Sequence, residues 1–250
     1  MKEITIQLAT KNVTIQTLYE STITYCQDYS VTTPADFSVT TTDADILYER
    51  QKFVQESNIE GLLPQNFPDP YYEITAVQRK IAERFFEYNT LLFHGSVVAL
   101  DGKAFLFTAK SGTGKSTHTR FWREVFGSRA VMINDDKPFL KINDDGVIVY
   151  GSPWNGKHRI GSNTSAPLKA ICILERGTEN RISEISAKEA LPMLLQQSHR
   201  PMQMNMMPHY LDLIDQLSQK VRFYRLSCTM DPQAAVVAYE GMTNKGKEEV

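Results

Sequence analysis

The chain has 250 residues, 42% hydrophobic and 22% charged, with a formal net charge of −2. That balance belongs to a soluble globular protein with room for one domain and a small N-terminal appendage. No apolar run approaches the roughly 18 residues needed to span a bilayer, and the start Met1-Lys2-Glu3-Ile4 lacks the apolar core of a signal peptide.

The cysteines Cys26, Cys172 and Cys228 are odd in number and far apart, which argues against a disulfide framework and against a zinc site. A cytoplasmic location is expected, where the sequons at Asn12 and Asn163 would go unused. Residues 1–90 hold 7 Lys+Arg against 13 Asp+Glu, and the rest 20 against 16. The mild basic surplus of the second part reads as ordinary surface charge. No basic block interleaved with aromatics points to nucleic acid, and nothing points to a membrane.

In chain order, residues 3–16 alternate through Ile4, Ile6, Leu8, Val13 and Ile15, which predicts two short strands around Thr10-Lys11-Asn12. Asp43 or Asp45 caps a predicted helix through Ile46, Leu47, Phe53 and Val54. Residues 58–70 carry Pro64, Pro68 and Pro70 and read as a linker. Pro70 then opens a helix with Ile74, Val77, Ile81 and Phe85 on one face, ending near Tyr88-Asn89. The expected boundaries are a small α+β subdomain over 1–70 and a nucleotide-binding catalytic domain over 71–250.

Two apolar runs, 91–100 and 103–108, are joined by Asp101-Gly102 and predict a hairpin. The strand that follows the turn leads into Ala109-Lys110-Ser111-Gly112-Thr113-Gly114-Lys115-Ser116-Thr117. This is a phosphate-binding loop. Gly112 and Gly114 let the backbone turn sharply so that several N–H groups face phosphate oxygens. Lys115 supplies charge to the terminal phosphates, and the Ser116 hydroxyl suits Mg2+. A helix follows with Phe121, Trp122, Val125 and Phe126 at helical spacing, stopped by Gly127, and adds its positive end to the anion site. Ala109 stands where the pattern usually has its first glycine, which is acceptable if its φ stays negative. Residues 111–117 are therefore expected to bind a nucleoside triphosphate. Ordinary phosphate-loop proteins enter the loop from a parallel sheet, whereas here an antiparallel hairpin is expected.

Ala130–Ile133 predicts a strand ending at Asn134-Asp135-Asp136, about twenty residues past the loop, where such proteins place an acid for the metal. Successive strand residues point to opposite sides, so one acid can hold Mg2+ while the other takes the proton of an attacking hydroxyl. The alternative is a pair of turn aspartates before Lys137-Pro138. A second hairpin flanks Asn143-Asp144-Asp145-Gly146, read as a plain turn. Strands over 168–174, 181–185 and 221–226, helices over 187–197, 209–220 and 233–241, and a tail from Thr243 complete the reading.

The run His94-Gly95-Ser96, the Asp-Gly hairpin, the loop 111–116 and the strand ending Asp135-Asp136 together resemble the HPr kinase/phosphorylase family and its superfamily with phosphoenolpyruvate carboxykinases. The resemblance covers about 91–185. It implies an α/β fold with a mixed, partly antiparallel sheet and flanking helices, and a homo-oligomer. By resemblance, Asp135 is the general base, Asp136 a metal or orienting partner with Ser116, and His94 a histidine near the phosphates. A buried histidine donating to a carbonyl is the alternative for His94.

Downstream, that family's glycine-rich Glu-Ile-Arg-Gly signature is replaced by 151–159, Gly-Ser-Pro-Trp-Asn-Gly-Lys-His-Arg. This segment is similar to one in divergent HPr-kinase-like proteins, including those of peptide-modification gene clusters. Lys157 and Arg159 are candidates to clamp phosphate oxygens, with Trp154 beside an acceptor; a surface loop is the alternative. Glu175-Arg176 reads as an ion pair near the metal site or as a surface pair, and Met202, Met204, Met206 and Met207 as adaptable packing.

The expectation is an ATP- and Mg2+-dependent kinase acting on a hydroxyl, first a Ser of a small protein or peptide. A small metabolite such as free serine, or a non-catalytic nucleotide-binding module, stands as the alternative.

Overall fold

The computed structural model describes residues 1–59, 61 and 63–243; the expected tail beyond 243 lies outside the described residues. Contacts divide the chain into two units, Met1–Phe85 and the part beginning at Phe86.

In the first unit, β1 (Lys2–Leu8) and β2 (Lys11–Thr17) form an antiparallel hairpin, and β3 (Phe37–Thr40) adds parallel to β2. The hairpin turn lies at Ala9-Thr10, both at positive φ (44° and 73°). This two-residue turn matches the strand twist, so it sits one residue earlier than expected. Helix α1 (Glu20–Cys26) lies between β2 and β3, and α2 (Asp43–Ile59) and α3 (Asp69–Phe85) follow β3. Ahead of α2, the Thr42 hydroxyl and N–H both donate to Asp45, which closes the helix start. On α3, Glu73 is fully buried and accepts from Leu18 N at 2.6 Å, Tyr19 N at 3.2 Å, and the Thr22 and Thr41 hydroxyls. A buried carboxylate must keep such donors. All four lie in the first unit, which holds α3 there and puts the division at Phe85, fifteen residues beyond the expected 70.

The second unit runs β4 (Thr90–Leu92), β5 (Ser96–Leu100), β6 (Lys103–Thr108), α4 (Lys115–Phe126), β7 (Ala130–Asn134), β8 (Phe139–Asn143), β9 (Gly146–Tyr150), β10 (Ser165–Arg176), β11 (Arg181–Ile185), α5 (Ala187–Gln197), α6 (Met207–Lys220), β12 (Arg222–Cys228) and α7 (Gln233–Thr243). Its sheet has the order β4-β8-β9-β10-β6-β5-β7, with β12 also on β10 and β11 on β12. The fold of this unit is thus α/β with a mixed, partly antiparallel sheet and flanking helices, and the first unit is a small α+β fold.

As expected, β5 and β6 form the hairpin across Asp101-Gly102, with Ser96 opposite Phe107. The other side of β6 pairs parallel with β10, a neighbour about sixty residues away. The apolar run 91–100 is not one strand. Its first part, β4, pairs with β8, and only β5 pairs with β6. The chain crosses over at Gly95, where a β-carbon would stand 3.0 Å from both Leu106 Cδ2 and Phe107 O. β10 is longer than predicted because it serves two neighbourhoods: its first three residues pair antiparallel with β9, and from Ala170 it runs parallel between β6 and β12.

Alternation along β6 sends Ala104 and Leu106 into a core completed by Leu194, Leu213, Ile214 and Phe223, under α5 and α6. Phe105 and Phe107 go to the other core, with Trp122 of α4 and Ala235 and Ala238 of α7. With both faces covered, the cleft lies past the end of the sheet, where β5 starts and β6 and β7 end.

Candidate active site

From Thr108 the chain enters the loop through Ala109, which is fully buried and not among the positive-φ residues. Alanine therefore replaces glycine there without strain. The sharp turns fall at Gly112 (φ 73°) and Gly114 (φ 117°), conformations that a β-carbon disfavours. Gly114 precedes α4 and offers no side-chain cap, so the first N–H groups of the helix are left for a ligand. Lys115 folds back over the loop, its Nζ 3.3 Å from Ala109 O. From the end of β10, Arg176 donates to Gly112 O at 2.7 Å and braces the loop. Behind it, His118 accepts from Trp122 Nε1 at 3.0 Å and packs against Phe107. Burial depresses this imidazole to about 3, so it is neutral.

β7 lies against β5 with Asn134 opposite Val97, which brings the aspartate pair beside His94 and Ser96. Asn134 is fully buried and organises the turn. Its Oδ1 accepts from Asp136 N at 2.8 Å and Lys137 N at 2.7 Å, and its Nδ2 donates to Ser152 O and Oγ, each at 3.1 Å. Asp135, 7% exposed, accepts from Ser96 Oγ at 2.6 Å. Asp136 turns the other way, its Oδ1 3.3 Å from His94 Nε2.

Burial raises the Asp136 carboxyl against the lowering influence of Lys137 and Lys115. His94 is depressed to about 3, by burial first and then by Lys137 and Lys115. A protonated His94 would form an ion pair with Asp136, but two lysines and burial oppose that charge. We therefore read the contact as a neutral imidazole donating from Nε2. Burial also lowers Lys115, with Asp136 and Asp135 pulling it back up.

The 151–161 segment closes one side. Lys137 N donates to Trp154 O at 3.0 Å. Gly156 (φ 74°) presents its missing side chain to Asp135 Oδ2, which a β-carbon would meet at 3.7 Å. Trp154 is 5% exposed; it packs inward and is not available to an acceptor as expected, because its flat apolar ring is better buried under the loop than left in the cleft. Glu175 and Arg176 do not pair with each other. They point to opposite sides of β10, Glu175 to Arg225 at 3.2 Å and Arg176 to the loop.

A cleft of about 390 Å3 results, lined by His94, Gly112, Gly114, Lys115, Ser116, Thr117, Asp135, Asp136, Gly156, Lys157 and His158. Of the candidate residues, Ser111, Thr113 and Arg159 are outside this lining. A second, more apolar cleft of about 530 Å3 adjoins it, sharing Gly112, Gly114 and Thr117 and adding Thr113, His118, Phe121, Arg176, Gly177, Cys228, Thr229 and Met230.

Residues 71–239 match the family described as SynChlorMet cassette protein ScmC. The chain belongs to that family. The matched span holds the loop, the aspartate pair and both clefts, and it starts inside α3, leaving most of the first unit outside. No curated protein matches the chain. Among solved structures, the HPr(Ser) kinase/phosphatase from Coxiella burnetii is similar at 11% identity and a TM-score of 0.36, over 60% of this chain and 94% of that one. Ser96, Thr119, Asn134 and His158 border or build the candidate site, and motif reading assigned none of them a role. Ser96 and Asn134 lie beside residues it did single out, whereas nothing in the sequence around Thr119 marks it. No helix among the described residues is long and apolar enough to cross a membrane.

Proposed function

We propose that this protein is a Mg2+- and ATP-dependent phosphotransferase that moves the γ-phosphoryl group onto a hydroxyl, that of a Ser in a small protein or peptide. The observation that carries the reading is the convergence of Lys115, Ser116, Asp135 and Asp136 on one cleft at the N-terminus of α4. The loop N–H groups and Lys115 hold the β- and γ-phosphates and stabilise charge as it shifts between them. Ser116 and Asp136 are hard oxygen donors, a set that suits Mg2+, which takes one or two protein oxygens beside those of phosphate. When bound, Mg2+ neutralises charge on the phosphates. Asp135 accepts the proton of the acceptor hydroxyl as its oxygen bonds to the γ-phosphorus, while the bond to the β-phosphate oxygen breaks and ADP leaves. Neutral His94 orients Asp136, and Lys157 and His158 border the path of the acceptor. The apolar cleft takes the base and ribose.

The resemblance of the loop and aspartate pair to HPr kinase/phosphorylase supports this chemistry. The replaced Glu-Ile-Arg-Gly signature argues against HPr as acceptor, and the family's description as a cassette protein supports an acceptor made by the same cassette. The test is transfer of label from γ-labelled ATP with Mg2+ to the proteins and peptides encoded beside this gene. Transfer that is lost in Lys115→Ala, and that falls about 10²-fold or more in Asp135→Asn with ATP binding retained, is expected. Tight ATP binding with neither transfer nor hydrolysis would instead assign the chain as a nucleotide-binding regulatory module.

A further inference from the structure

Two buried hydroxyls join the phosphate-loop helix to Asp135, and the chemistry above does not use them. Ser96 on β5 and Thr119 on α4 are both 0% exposed. Ser96 Oγ lies 2.6 Å from Asp135 Oδ1 and 2.9 Å from Thr119 Oγ1. Each hydroxyl has one proton to give. An ionised carboxylate can only accept, so the Ser96 proton goes to Asp135 and the Ser96 oxygen is left as an acceptor. The Thr119 proton has three choices: Ser96 Oγ at 2.9 Å, Ser116 O at 3.3 Å and Lys115 O at 3.4 Å. The shortest contact is the strongest. The chain of donors therefore runs in one direction, from Thr119 to Ser96 to Asp135.

This direction has a geometric consequence. Thr119 sits one helical turn beyond Lys115, on the helix whose N-terminus faces the phosphate cleft. Asp135 Oδ1 is committed to the relay, and Oδ2 lies on the side of Gly156, which lines the same cleft. On the phosphotransferase reading, we propose that Ser96 and Thr119 are positioning residues. They lock the Asp135 carboxylate so that Oδ2 faces the acceptor, in register with the helix that holds the phosphates. Neither hydroxyl touches substrate. Their effect falls on the rate of transfer, because a base rotated out of line loses rate without loosening the nucleotide.

The experiment uses the full chain and water as the probe acceptor, with phosphate release from Mg·ATP in single turnover and the Mg·ATP Kd by calorimetry. Misplacement by a fraction of an ångström predicts that Ser96→Ala slows turnover about tenfold, with Kd unchanged within roughly twofold. Thr119→Val, which keeps the side-chain shape, slows it less, and Thr119→Ser, which keeps the hydroxyl, restores it. Because the relay is serial, the Ser96→Ala/Thr119→Val double variant turns over no more slowly than Ser96→Ala alone. Wild-type rates in both single variants, multiplicative losses in the double variant, or a Kd that weakens in step with the rate would each overturn the relay. A wild-type protein with neither turnover of water nor transfer to any protein or peptide encoded beside its gene, or an Asp135→Asn variant with full turnover, would refute the parent reading itself and so is told apart from failure of the relay alone.

Discussion

Replacing Asn134 by Ala removes four hydrogen bonds from the floor of the cleft at once. Oδ1 is the acceptor for Asp136 N and Lys137 N, which can only donate, so the orientation of the amide is determined. Without it, Asp136 N loses its bond to Asn134 while Lys137 N keeps the bond to Trp154 O at 3.0 Å, and one orphaned buried donor costs about 1–3 kcal/mol. Asp136 and Lys137 are only partly buried, so water recovers some of this. Loss of the donor bonds to Ser152 adds to the cost. We expect Asn134→Ala to destabilise the unit by about 2 kcal/mol, a melting shift of about 4–8 °C for a domain of this size. Ser152→Ala removes one acceptor for Asn134 and the 2.6 Å bond to Lys137 O, and should cost about 1 kcal/mol. Urea unfolding followed by tryptophan fluorescence reads the right part of the molecule, since both tryptophans, Trp122 and Trp154, lie in the second unit. If Asn134→Ala unfolds at the wild-type urea concentration, or Ser152→Ala proves the more damaging, Asn134 is not what holds the aspartate turn.

Two further outcomes are expected. His118 is neutral in the fold and depressed to about 3, whereas in the unfolded chain it protonates near 6.5. Stability from this group is complete above that pH and is lost as pH falls toward 3, at about 1.4 kcal/mol per pH unit. His118→Gln should flatten the acid limb of a urea-midpoint series by that slope, and parallel limbs would contradict the burial argument. Cys228 lines the apolar cleft, while Cys26 and Cys172 are buried. Burial raises its thiol, so maleimide labelling near pH 8.5 should be slow, confined to Cys228 by peptide mapping, and blocked by Mg·ATP; equal rates with and without nucleotide would move the base out of that cleft.

Much of the candidate site was legible as local pattern because its parts are close in the chain. Gly112 and Gly114 announce backbone turns that few other residues adopt, and Lys115-Ser116 follow them into a helix whose apolar spacing is its own signal. The Asp101-Gly102 hairpin is likewise written in adjacent residues, as is the strand that stops at Asp135-Asp136. What tertiary structure alone decided depends on groups far apart in the chain. The run 91–100 reads as one strand, but its halves pair with different strands and the chain crosses at Gly95, where Leu106 and Phe107 leave no room for a β-carbon. β10 becomes the parallel partner of β6 through hydrogen bonds that no local pattern encodes. α3 joins the first unit because a buried Glu73 finds its donors there. Trp154, expected beside the acceptor, is buried where its carbonyl holds Lys137.

The sequence by itself determined that a glycine-rich loop, a helix and an acidic strand end occur in that order. Only the tertiary structure, by laying β7 against β5 and packing α4 on β5, set Asp135 within 2.6 Å of Ser96 and Ser96 within 2.9 Å of Thr119. The reason is physical: a turn or helix is specified by the dihedral preferences and periodicity of neighbouring residues, whereas buried hydroxyls and carboxylates acquire their partners only when packing removes water and leaves each one the few atoms within reach.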